Sequence, residues 1–177
     1  MIVKMKKILT MMYNSCKIKI KGYNMNVNNV NNINDVAKIC KKSNKPVVIV
    51  TGVTGQDGSY MVDYLLKNYP DKYTIIGCVR RLSVSNHKNI QHIKNNNFHL
   101  VYFDLTDTNN ISTLIQTTKP LYFINLAAQS FVGNSWDIAK QTWETNSSGI
   151  IDILDSINRK STRLNSSHTD ISRMPSS

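Results

Sequence analysis

The chain has 177 residues, enough for one domain with a sizeable core, and 41% of them are hydrophobic. Its net charge of +11 invites nucleic acid as a partner, but that charge sits at the ends: residues 1–44 carry nine Lys against Asp35, residues 45–158 carry nine basic and nine acidic side chains, and residues 159–177 carry four basic residues against Asp170. A neutral middle flanked by basic tails without interleaved aromatics or a basic amphipathic stripe excludes a nucleic-acid-binding domain, no stretch reaches the ~18 apolar residues of a membrane span, and Cys16, Cys40 and Cys78 form neither a zinc spacing nor a disulfide framework.

Residues 1–44 are crowded with Lys and Asn, seven of the latter between Asn24 and Asn34. The apolar part of the start, Ile8 to Tyr13, is short and followed by more lysines, so it does not read as a signal peptide. Such a composition buries little apolar surface, and the segment is expected to be a disordered leader. From residue 45 the character alternates. Pro46 to Thr51 reads as a buried strand, and Asp57 to Asn68 as a helix with Met61, Val62, Leu65 and Leu66 on one face. Tyr73 to Val79 is a second strand, with Cys78 as a small buried residue, and Phe98 to Phe103 a third. Thr106 or Asp107 caps a helix through about Thr118, with Ile111, Leu114 and Ile115 inward. Leu121 to Ala127 is a fourth strand, and Ile138 to Asn158 is largely helical, with Ile150, Ile151, Leu154 and Ile157 as its apolar face. Strands alternating with helices specify a parallel sheet with right-handed crossovers: the fold class is α/β, a doubly wound, Rossmann-like sheet of which residues 45–158 supply the N-terminal half in strand order 3-2-1-4. Residues 159–177 break the pattern. The codons CGG AAG AGC ACA CGT CTG AAC TCC AGT CAC of a common sequencing adapter spell Arg159 to His168, and its later codons spell Ser172 to Ser177, so this tail is expected to be an artefact outside the fold, with the gene continuing past Asn158.

The chemistry begins at the end of the first strand, where Gly52 to Gly58 read Gly-Val-Thr-Gly-Gln-Asp-Gly. The first glycine permits a tight turn, the second lets backbone approach a pyrophosphate, and the third lets helix pack on strand, with the helix N-terminus facing the anion. Thr54, Gln56 and Asp57 line this turn, Asp57 being equally placed as an N-cap. Arg80 and Arg81 follow the second strand, where an enzyme preferring NAD places an acid for the ribose hydroxyl; guanidinium groups there suit the 2′-phosphate of NADP instead. Leu126, Ala127, Ala128, Gln129 and Ser130 after the fourth strand are mostly small and let backbone approach a ligand. His87, His92 and His99 lack metal-ligand companions and read as surface or strand residues, while Trp136 and Trp143 read as core or loop packing.

Together, Thr51 to Tyr60, Val79-Arg-Arg-Leu-Ser83, Asp104-Leu-Thr-Asp107 and Asn125-Leu-Ala-Ala-Gln-Ser130 resemble the extended short-chain dehydrogenase/reductase family, and within it the GDP-mannose 4,6-dehydratases. The resemblance covers residues 47 to about 157. It implies NADP as cofactor, Ser83 helping to hold its phosphate, Asp104 and Leu105 embracing the adenine, and GDP-mannose as the substrate of a homo-oligomer that exchanges a loop near residues 86–97, while the three scattered thiols fit a reducing, cytoplasmic compartment. It also implies a Tyr near position 141, where this chain has Gln141. The family's acid–base pair, a Tyr with Lys four residues on, is absent after residue 130, so no catalytic residue is assigned and the fragment is expected to be inactive. Another NADP-dependent sugar-nucleotide epimerase or reductase of the same extended family, or a non-enzymatic NADP-binding regulator, remains compatible with these residues.

Overall fold

The structure, a computed structural model, describes residues 30–82, 86–130, 133 and 136–165, with side chains through Arg159. In chain order it contains β1 (Val30–Asn31), α1 (Ile33–Ser43), β2 (Val47–Thr51), α2 (Gln56–Asn68), β3 (Thr74–Val79), a 3-10 turn at Lys88–Ile90, β4 (Phe98–Tyr102), α3 (Thr108–Thr118), β5 (Tyr122–Ile124), α4 (Ala139–Trp143), a π-turn (Glu144–Ser148) and α5 (Gly149–Asn165). The strands form one sheet in the order β1-β4-β3-β2-β5, every pair parallel. The four strands anticipated from the sequence therefore lie in the anticipated 3-2-1-4 order.

All residues of β2 and β3 are buried, as expected of parallel strands covered on both faces. One face carries α1, α3 and α5, whose Val36, Cys40, Ile111, Leu114, Ile115 and Ile153 pack on Ile49, Ile76 and Val101. The other carries α2 and the segment around the 3-10 turn, whose Val62, Leu65, Ile90 and Ile93 pack on Val48, Val50, Ile75 and Leu100. Each large aliphatic side chain so buried contributes roughly 1.5–3 kcal/mol. The distribution follows from chain direction. The connections β1 to β2 and β4 to β5 both run toward the β5 edge, whereas β2 to β3 runs the opposite way, so right-handed crossovers put α1 and α3 on one face and α2 on the other.

The expectation of a disordered leader fails over residues 30–44. The Asn content that suggested disorder is partly capping: Asn32 is the N-cap of α1 and its side chain accepts the N–H of Asp35 at 2.9 Å, and Asn44 takes the left-handed C-cap conformation with φ 50°. Lys41 and Lys42 complement the helix dipole in the last turn, and Val36 and Cys40 are buried one turn apart. Residues 1–29 lie outside the described residues.

A second correction concerns α5. Its inward face is Gly149, Ile153 and Ser156, while Ile150, Ile151, Leu154 and Ile157, anticipated as buried, are exposed. The helix also runs through position 158 to Asn165. Trp136 and Trp143, at 86% and 66% exposure, belong to no core.

Candidate functional site

β2 ends at Thr51, and the chain turns through Gly52 in the left-handed region at φ 69°. The Gly55 N–H donates to the Gly52 carbonyl at 2.9 Å, which closes the turn and delivers Gln56 as the first residue of α2. Gly52 has no alternative here. A Cβ on it would lie 2.8 Å from the Ala127 nitrogen and from the Leu126 carbonyl carbon and oxygen. Gly58 sits one turn into α2 against Gly52, where a Cβ would collide with the Gly52 carbonyl. The N-cap of α2 is Gly55, with no side-chain cap, so the first-turn N–H groups keep no side-chain acceptor. This corrects the alternative role of Asp57: it lies in the first helical turn and does not cap.

The loop after β5 is fastened to the same strand end. The buried Thr51 hydroxyl donates to Asn125 Oδ1 and accepts the N–H groups of Leu126 at 3.0 Å and Ala127 at 3.1 Å. A third loop follows β4. Asp104 Oδ1 accepts from the Thr106 N–H at 2.9 Å and its hydroxyl at 2.8 Å, which fixes the turn carrying Leu105, and Asp107 Oδ1 accepts the Asn110 N–H at 3.0 Å as the cap of α3. A fourth wall comes from the segment after β3, held to the glycine turn by Asn89 Nδ2 donating to the Thr54 carbonyl at 2.7 Å.

These four loops, all at the C-terminal ends of parallel strands, enclose one cavity of about 330 Å³. Of the residues singled out in the sequence, Gly52, Thr54, Gly55, Arg80, Asp104, Leu105, Leu126, Ala127, Ala128, Gln129 and Ser130 line it. Gln56 and Asp57 stand exposed beside it, and Gly58 supports it from behind. The arginine pair is divided: Arg80 lines the cavity, whereas the Arg81 guanidinium lies 5.0 Å from the ring centroid of Tyr102. Ser83 lies outside the described residues.

Sequence reasoning missed Thr51, Cys78, Asn86, His87, Tyr102 and Thr145, which also line the cavity. Thr51 had a signal, a hydroxyl closing an otherwise apolar buried strand, which needs a hydrogen-bond partner where it is buried; the others depend on contacts between distant segments. Burial pushes the Cys78 thiol well above the ordinary thiol range, which leaves it an inert wall. Among the described residues no three His, Cys, Asp or Glu side chains converge as a metal site, and no helix is long and apolar enough to cross a membrane.

Known proteins with this pattern are consistent with the geometry. The family model described as GDP-mannose 4,6 dehydratase matches residues 49–171. The chain is 39% identical over 118 residues to the GDP-mannose 4,6 dehydratase of Drosophila melanogaster, a match covering 63% of this chain and 29% of that one. It is 38% identical to the human GDP-mannose 4,6 dehydratase, covering 63% and 31%. The chain thus spans less than a third of the length of these relatives. Among solved structures, the UDP-glucose 4-epimerase of Thermotoga maritima with UDP-glucose superposes with a TM-score of 0.52 at 27% identity, covering 62% of this chain and 33% of that one. The dTDP-glucose 4,6-dehydratase of Bacillus anthracis in complex with NAD superposes with a TM-score of 0.53 at 22% identity, covering 65% and 34%, and shares the fold.

Proposed function

Because the chain belongs to the GDP-mannose 4,6 dehydratase family, we propose that its cavity is the dinucleotide half of a sugar-nucleotide dehydratase, with NADP as the cofactor and GDP-mannose as the substrate of the whole enzyme. One observation carries the cofactor reading: a cavity walled by a glycine turn, an uncapped helix N-terminus, Arg80 and a loop of small residues. The donor set fits the group. Backbone N–H groups at the start of α2 suit a pyrophosphate, and the Arg80 guanidinium suits a ribose 2′-phosphate through paired, charge-assisted hydrogen bonds. In this reading Asp104 and Leu105, which line the cavity, would meet the edge and the face of the adenine. Bound NADP would supply a reversible hydride acceptor for dehydration of the sugar.

The residues of this chain bind and orient; they do not carry proton transfer. No Tyr follows residue 130, so this reading assigns no proton-transfer role to the residues of this chain. The same reading makes the whole enzyme a homo-oligomer of the cytoplasm, a compartment in which the free thiols Cys40 and Cys78 stay reduced.

The two arginines separate cofactor choice from packing. Arg80→Ala is expected to weaken NADPH binding by roughly tenfold to a hundredfold, the loss of hydrogen bonds to a charged group, with NADH binding nearly unchanged. Arg81→Ala removes a stacking contact to Tyr102 and should leave the NADPH to NADH ratio within about twofold. Equal loss for both nucleotides in Arg80→Ala, measured by fluorescence titration, would refute the assignment of the 2′-phosphate to this side chain.

A further inference from the structure

The helical segment that closes the cavity is irregular. Between α4 and α5, residues Glu144–Ser148 form a π-turn. An inserted residue of this kind interrupts the regular hydrogen-bond ladder and rotates a side chain out of helical register, and such turns concentrate at functional sites. Asn146 lies at the centre of this turn. Its Oδ1 accepts the Gln129 N–H at 2.8 Å, and its Nδ2 donates to the Gln129 carbonyl at 3.0 Å. The carboxamide therefore pairs with Gln129 through both backbone groups, as a neighbouring strand would, at a point where β5 has already ended at Ile124.

The same turn touches a second loop. Gly149 lies so near the Leu105 carbonyl that a Cβ there would stand 2.5 Å from its oxygen. Thr145, one residue before Asn146, lines the cavity itself. A single turn of helix thus grips the loop after β5 by a paired amide and abuts the loop after β4 backbone to backbone. Both loops line the cavity, so the geometry of this turn fixes the distance between them.

We propose that Asn146 is a positioning residue for the dinucleotide: the π-turn holds the Leu126–Ser130 loop at the depth and the width from Leu105 that the ligand requires, with Gly149 as the opposing stop. This rests on the dinucleotide reading of the cavity. Asn146 acts through Gln129, so its removal changes binding by releasing a loop. A stabilising staple without this role would lower the melting temperature and leave the affinity of the folded chain alone.

The test compares the 177-residue chain with its Asn146→Ala and Asn146→Asp variants, by NADPH fluorescence titration and by amide hydrogen exchange. Asp at this position keeps an acceptor for the Gln129 N–H but sets a second oxygen against the Gln129 carbonyl. In Asn146→Ala, exchange should quicken over residues 126–130 while β2 and β3 keep their protection, and NADPH should bind roughly tenfold or more weakly, as expected for two lost backbone-pairing hydrogen bonds. Asn146→Asp should fall between that variant and the parent in both readouts. NADPH affinity equal to the parent's in Asn146→Ala overturns the proposal. Should Asn146→Ala fail to fold, Asn146→Asp decides, and parental affinity there overturns it equally. A parent chain that binds no NADPH defeats the dinucleotide reading itself, an outcome distinct from parent and variant binding alike.

Discussion

Gly58 and Gly55 occupy the same turn but face different constraints. A Cβ on Gly58 would collide with the Gly52 carbonyl and approach the Val53 Cα to 2.8 Å, whereas one on Gly55 would meet only the Gly52 carbonyl, at 3.2 Å. Gly58→Ala is therefore expected to cost about 3 kcal/mol or more, as for other overpacking of backbone against backbone, and Gly55→Ala roughly 1 kcal/mol or less. Chemical denaturation of the two variants checks the difference, and equal costs would contradict the packing described for this turn. The spacing of these glycines made the turn legible in the sequence. The division of labour between Arg80 and Arg81 was not legible. Adjacent residues leaving a strand point to opposite sides, and which one meets the cavity depends on Tyr102, brought alongside by the Val79–Tyr102 register of β3 and β4.

At the scale of elements, β4 carries a titratable probe of its own packing. Burial holds His99 below its ordinary value of 6.5, with a hydrogen bond involving the Asn96 backbone acting in the opposite direction. The unfolded chain therefore takes up the proton first as the pH falls. Stability is complete above pH 6.5 and declines as the pH drops toward the lowered folded value. His99→Gln should flatten this part of the profile in thermal melts between neutral and mildly acidic pH; an unchanged slope would mean that His99 is not the group responsible. Asp71, held down by Asn97 and Lys45, acts separately in the carboxylate range. Strands and helices from residue 46 onward were legible because continuous β-branched apolar runs marked the buried strands and a 3.6-residue apolar period marked the helices. α1 was not, because composition counts Asn and Lys as disordering while geometry uses Asn32 and Asn44 as caps. The α5 face was misjudged because the close approach of Gly149 to the Leu105 backbone sets the rotation of the helix, which turns Gly149, Ile153 and Ser156 inward and Ile150, Ile151, Leu154 and Ile157 outward.

For the whole molecule, the doubly wound topology followed from the alternation of elements, whereas the extra β1 at the far edge followed from nothing in the sequence pattern. The opposite edge is left apolar. Leu121 and Tyr122 at β5 are 57% and 54% exposed, and Ile151 and Leu154 on α5 are 63% and 61% exposed. Exposed large apolar side chains of this kind, on an edge strand and on a helix, promote association. The chain is expected to self-associate in light scattering at micromolar concentration, and Ile151→Lys with Leu154→Lys should reduce this while preserving far-ultraviolet dichroism. A parent chain that stays monomeric with a sharp cooperative melt would contradict that picture.

The central claim is that four strand-end loops form a seat for a phosphorylated nicotinamide dinucleotide, and titration of the chain with NADPH and NADH tests it most directly. The account predicts saturable binding at one site per chain, with NADPH the tighter ligand by roughly tenfold or more, the discrimination expected from one guanidinium–phosphate contact. Absence of saturable binding by either nucleotide, or tighter binding of NADH, would contradict it.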